Sequence, residues 1–163
     1  MVRQAPLIMP QPLEGVVEAL QASLALHWSQ AEMYDLQAVH LTRWGYPKLG
    51  KTWAAYAKDE RHHIKKLSQR LEFFDVQPEP AHQPPETCRH DFEEVLEDNY
   101  EADLQAAEVE RQGYLTCSAV GDSTSAKLFA KLRAGSEESM ANIEAIRQVI
   151  SDIGLDNYLA AQV

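Results

Sequence analysis

Apolar residues recur three and four positions apart at Val17, Leu20, Leu24, Trp28, Ala31, Tyr34, Ala38 and Leu41, which marks one face of a helix about seven turns long. The spacing predicts a first helix over about 12–43. An extended lead-in over 1–11 precedes it, in an opening that carries Pro6, Pro10 and Pro12. The segment Trp44–Gly50 (WGYPKLG) then breaks the helix with glycine and proline. A second stripe through Trp53, Tyr56, Ala57, Ile64, Leu67, Leu71 and Phe74 predicts a helix over about 50–75. Beyond it, Pro78, Pro80, Pro84 and Pro85 make 76–88 too stiff for a hairpin. Phe92, Leu96, Tyr100, Ala107, Tyr114 and Cys117 predict a third helix over about 89–119. After the GDSTS break, with Asp122 or Ser123 as N-cap, Leu128, Leu132, Ile143, Ile146, Val149, Ile150 and Ile153 predict a fourth over 123–153. Gly154 stops it, and 154–163 is left as a short C-terminal segment with one more helical turn. Connections that run short, long, short describe an all-α four-helix bundle whose middle link crosses its length, because an up-down-up-down bundle needs three short loops.

Composition narrows the partners rather than the fold. The 163 residues suit a single domain over 1–163, and 45% hydrophobic content with 7 Gly and 8 Pro favours helix. A formal net charge of −10 excludes a basic surface for nucleic acid or anionic membrane and makes cations the natural partners. Cys88 and Cys117 lack metal-type spacing, the opening MVRQAPLIMP has no long apolar stretch, and no apolar run reaches the length of a membrane span. A cytoplasmic protein with free thiols is expected.

Several polar residues fall on the apolar stripes. Glu60 lies seven residues after Trp53 and seven before Leu67, and His63 is one turn further along the same face. A buried carboxylate is costly unless paired or bound to metal, and Glu-x-x-His is the spacing by which one helix offers two ligands to one ion. His27 is inward on the first helix, either as a ligand or as a core histidine bonded to a carbonyl. Asp103, seven residues after Leu96, is an inward acid on the third helix, and Glu110 sits on that face one level along, toward the bundle end. Tyr34 is read as a buried tyrosine with a satisfied hydroxyl. His40, His62, His82 and His90, and the run Lys65, Lys66, Arg70, read as solvated.

Four features resemble bacterioferritin: Trp44-Gly45 closing the first helix, Asp59-Glu60-x-x-His63, Phe92-Glu93-Glu94-x-Leu96, and Gly154-Leu155-x-Asn157-Tyr158-Leu159-x-x-Gln162. The resemblance covers nearly the whole chain. It implies a ferritin-like bundle with a long crossover, a cytoplasmic 24-subunit cage storing iron as a ferric mineral, and a di-iron ferroxidase centre in each bundle. That centre's ligands, carried across in register, become His27, Glu60, His63, Asp103, Ser136 and Ser139, so only Glu60 and His63 match outright. A one-residue shift on the fourth helix brings Glu137 and Met140 to the last two positions, with Glu137 as a further candidate and still no histidine. The family's haem-ligating methionine corresponds to Arg61, so haem at the usual place is not expected, and Met33 reads as core filler.

Three functions follow as expectations. The first is an iron-storage cage subunit with a mononuclear or degenerate site at His27, Glu60, His63 and Asp103, weak ferroxidase activity, and a second bacterioferritin subunit as an optional partner. The second is an oxidoreductase with one iron, zinc or other divalent ion on the same bundle. The third is a structural subunit whose inward polar residues bond one another and hold no metal.

Overall fold

The chain folds as α1 (Val16–Arg43), α2 (Pro47–Phe73), α3 (Phe92–Ala119), α4 (Ser123–Ile153) and the short α5 (Leu155–Ala160). The structure is a computed structural model that describes residues 11–79 and 91–163. Most of the 1–11 lead-in, part of the 76–88 crossover, and His82, Cys88 and His90 lie outside the described residues.

Local chemistry sets the helix ends, and several differ from the sequence expectation. Gly15 has φ 76°, a left-handed backbone that cannot continue a helix, so α1 begins at Val16 instead of near 12. The second helix begins three residues earlier than expected. Pro47 occupies its first turn, where a missing N–H costs nothing and a fixed φ helps. Gly50 therefore lies inside α2, where its smallness matters: an added Cβ would stand 2.0 Å from Thr42 Oγ1 on α1. Asp91 and Asp122 cap α3 and α4 by accepting from the backbone N–H groups of Glu94 (2.9 Å) and Ser125 (3.0 Å).

Aromatic contacts show how the helices run. Trp53, early in α2, meets Phe92, the first residue of α3, with ring centroids 5.6 Å apart. At the opposite end Arg70 of α2 donates to Asp122 (2.9 Å) and Ser125 (2.8 Å) at the start of α4 and covers the rings of Phe73 and Phe74. Helices α2 and α3 are therefore parallel, which is the ferritin-like connectivity. Arg70 is not simply solvated; it ties two helix ends together. The stack of Tyr158 on Phe92 (5.7 Å) docks α5 over this same end of the bundle.

Two apolar clusters fill the bundle. One gathers Leu20, Leu24, Leu67, Leu71 and Phe129, and the other Leu41, Trp53, Phe92, Leu96 and Ile143. At Gly113 an added Cβ would sit 2.4 Å from the Phe129 ring, so α3 and α4 approach closely there. Packing is extensive between α1 and α2 and between α3 and α4, whereas α2 and α4 barely touch. Among the described residues no helix is long and apolar enough to cross a membrane.

Candidate metal centre

Between the apolar clusters lies a polar layer in which His27, Glu60, Asp103, Glu110 and Ser136 are all buried. Each sits on its helix's inward stripe, so the folding that buries the leucines buries these residues too. Their polar atoms must then find one another or an ion.

His27 is the hub. Its Nδ1 lies 2.5 Å from Glu60 Oε2 and its Nε2 3.0 Å from Glu110 Oε1. A neutral imidazole carries one N–H, so donating to both carboxylates requires the doubly protonated ring. Burial opposes that charge, but the hydrogen bonds to Glu110 and Glu60 and their negative charges outweigh it and raise the His27 pKa to about 9. Glu60 shows the converse. Burial pushes its carboxyl up, yet the hydrogen bond to His27 and the nearby His27 and His63 rings win and hold it at about 2.

Sequence reasoning places Glu110 toward the bundle end; the structure places it in the site. It is 1% exposed, and while Oε1 faces His27, Oε2 accepts from Ser136 Oγ at 3.1 Å. The signal was its seven-residue spacing from Asp103, which puts both acids on one face of α3. The histidine ring reaching from α1 decides which of the two it meets.

His63 stands edge-on to His27, with ring centroids 4.9 Å apart. Its Nδ1 is 3.5 Å from Glu60 Oε2, close enough for charge attraction, but it makes no hydrogen bond. One donor atom from each of His27, Glu60 and His63 can be chosen so that all lie within 4.8 Å of one another. Two imidazoles and a carboxylate suit zinc or ferrous iron.

The α3–α4 side differs. Ser139 Oγ donates to Asp103 Oδ2 at 2.6 Å. Burial raises the Asp103 pKa to about 7; the Ser139 bond opposes the rise, and the charges of Glu60 and Glu110 add to it. Burial likewise lifts the Tyr34 phenol well above its usual range, helped by Asp103 and Glu60 and opposed by its hydrogen bond with Ser139. Asp103 thus stands apart from the three-residue group. Glu137 does not join the site: it is exposed and pairs with Arg133 at 2.8 Å, one turn away on its own helix. Helix α4 brings Ser136 and Ser139 instead.

A cleft of about 320 Å³ reaches this layer between α2 and α4, lined by Tyr34, Glu60, His63, Asp103 and Ser139, with His62 also on its wall. It opens there because those two helices hardly pack against each other. Arg61, beside Glu60 in sequence, turns to the exterior, pairing with Asp35 and reaching the Ala57 carbonyl at 3.4 Å. Met33 packs, partly buried, at the margin of the Trp53 cluster.

Residues 17–153 match the ferritin-like domain of the ferritin family. The chain is 29% identical to a bacterioferritin of Brucella melitensis over 143 residues, 88% of this chain and 89% of that protein. It is 27% identical to a bacterial ferritin of Synechocystis over 155 residues, 94% of this chain and 97% of that one. A Mycobacterium leprae bacterioferritin is 27% identical over 150 residues, covering 89% and 91%. With the four-helix topology and the polar layer at mid-bundle, the match over most of its length means that the chain belongs to the ferritin-like domain family, as a divergent relative of the bacterioferritins.

Proposed function

We propose that this chain is a subunit of a bacterioferritin-like iron-storage assembly in which the bundle's own site takes one divalent cation, not two. The observation that carries this reading is the split in donors across the polar layer. His27, Glu60 and His63 cluster within 4.8 Å on the α1–α2 side. On the α3–α4 side Ser139 is committed to Asp103 and Ser136 to Glu110. A second ion there has one buried carboxylate not held by His27, Asp103, with Glu138 exposed on the cleft wall, and hydroxyls that ligate divalent cations poorly beside imidazole or thiolate. Iron bound at the first position would supply one-electron redox chemistry; His27, Glu60 and His63 would hold it, with the cleft side left open. Ferroxidase activity by this chain alone is weak in this reading, because paired electron transfer to oxygen or peroxide calls for two neighbouring irons. Iron is also the stored cargo. The net charge of −10 draws ferrous ions toward the assembly.

Assembly as a 24-subunit cytoplasmic cage, alone or mixed with a second bacterioferritin subunit that has a complete centre, is part of the same proposal. The relatives' names and near full-length coverage support it. Analytical ultracentrifugation is expected to give a mass near that of 24 chains, and a monomer or dimer would overturn the cage. Rapid oxidation of two ferrous ions per chain by the purified protein would overturn the one-ion reading.

A metal-free structural subunit is the second reading, favoured by one specific observation: both His27 ring nitrogens already hold carboxylates. Metal analysis separates the two. About one equivalent in the wild type and none in Glu60→Ala or His63→Ala eliminates the structural reading, and an empty wild type after loading with ferrous or zinc ions establishes it.

A further inference from the structure

We propose that Glu110, braced by Ser136, is a positioning residue for a one-ion site: it fixes the His27 ring so that Nδ1 is the ligand atom shared with Glu60 and His63. This rests on the one-cation reading above and adds a residue from α3 that touches no ion itself.

The geometry assigns different partners to the two His27 nitrogens. Nε2 faces α3 and Glu110, whereas Nδ1 faces α2 and Glu60. An imidazole that ligates a metal is neutral and has one N–H left, and which nitrogen keeps it is set by the acceptor on the other side. Glu110 is that acceptor. It is 1% exposed, and its second oxygen is held by Ser136, so it cannot swing toward solvent or toward the cleft without losing both partners. A carboxylate so enclosed costs free energy unless its charge is matched. Its placement on the opposite ring nitrogen from Glu60, outside the three-residue donor group, matches an outer-sphere role and not that of a ligand.

The donor atoms on the other side are already close to a coordination shell. Ligands held ~2.1 Å from a tetrahedral ion stand ~3.4 Å apart, and His63 Nδ1 lies 3.5 Å from Glu60 Oε2. His63 Nδ1 is buried and makes no hydrogen bond. The 2.5 Å contact between His27 Nδ1 and Glu60 is shorter than a ligand–ligand edge and would have to open for an ion to take the place of the shared proton. The ligand class is a borderline divalent cation such as ferrous iron, zinc or cobalt(II), bound by two imidazoles and a carboxylate with an open position toward the cleft.

Cobalt(II) is the probe, since its visible bands report ligand geometry. The full-length protein, stripped with chelator, is titrated with cobalt(II) and separately with zinc by calorimetry, alongside Glu110→Gln and Ser136→Ala, with circular dichroism to check folding. The expected result is one ion per chain in all three. Glu110→Gln should weaken binding ~10–100-fold with an altered cobalt spectrum, and Ser136→Ala should shift both in the same direction by less. One ion bound by the wild type, with both variants matching it in affinity and spectrum, overturns the role of Glu110 and leaves the one-cation reading standing. No ion, or two, in the wild type overturns both. Should Glu110→Gln fail to fold, the Ser136→Ala spectrum decides: a change supports the assignment and an unchanged spectrum overturns it.

Discussion

The two halves of the polar layer are built from similar inward positions but satisfy them in opposite ways. On the α1–α2 half, charge meets charge: Glu60 and His27 are 2.5 Å apart and buried, with Glu110 completing the set from behind. On the α3–α4 half, Ser139 meets Asp103, whose pKa is raised to about 7, so the contact is closer to one between neutral groups. The difference shows that burial alone does not fix the state of an acid. Glu60 and Asp103 are both enclosed by the same bundle, yet one is held at about 2 and the other at about 7 because His27 hydrogen-bonds Glu60 directly and acts on Asp103 only as a weaker, more distant charge.

The sharpest way to break this contrast is to remove the cation. His27→Ala leaves Glu60 and Glu110 buried without their shared partner, and a loss of about 3–5 kcal/mol is expected by chemical denaturation. A loss under about 1 kcal/mol would mean that the two halves are not electrostatically distinct.

The pH dependence of the metal-free protein gives the next largest effect. The His27 pKa is raised from 6.5 to about 9, so its contribution is complete below 6.5 and lost as pH rises through 9. Glu60 is lowered from 4.5 to about 2, so its contribution is present above 4.5 and lost as pH falls through 2. Asp103 goes the other way. Raised from 3.8 to about 7, it takes up a proton on folding, and stability declines as pH climbs through that window. Asp103→Asn should therefore stabilise the protein at pH 8, with a gain that shrinks toward pH 4. A melting-temperature series over that range checks the sign, and a gain independent of pH would contradict the assignment.

Ser139→Ala should cost about 1 kcal/mol, the ordinary value of one internal hydrogen bond, and Ser136→Ala more, because it releases an acceptor that belongs to the charged set. Equal costs in urea unfolding would blur the distinction between the halves. The smallest effect belongs outside the layer. Arg61 and Asp35 are both about half exposed, and Arg61→Ala should change stability by no more than about 0.5 kcal/mol.

The four long helices were legible because apolar spacing, proline clusters and capping residues all pointed the same way; the α4 range of 123–153 agrees with its observed bounds. Glu60, His63, His27 and Asp103 were legible as inward residues for the same reason, since periodicity reports a face. What periodicity does not report is a partner. Glu110 and Asp103 share the inner face of α3, and only the reach of the His27 ring selects Glu110. Glu137 was an open question of register that the packing of α4 resolved, turning it toward Arg133 and solvent.

The remaining differences have the same origin. Gly50 read as a breaker because glycine is a poor helix residue, but the close passage of Thr42 makes it the residue that lets α1 and α2 touch. Arg70 read as solvated because it falls with Lys65 and Lys66 about one turn upstream, although Asp122 and Ser125 wait for it across the bundle. The sequence by itself determined the helices, their inward faces and the identity of the acids and imidazoles that had to be buried, since these follow from local spacing and the cost of exposing apolar surface. Tertiary structure alone decided which acid is charged, which nitrogen faces which carboxylate, and where the cleft opens. Those properties depend on distances between residues far apart in the chain.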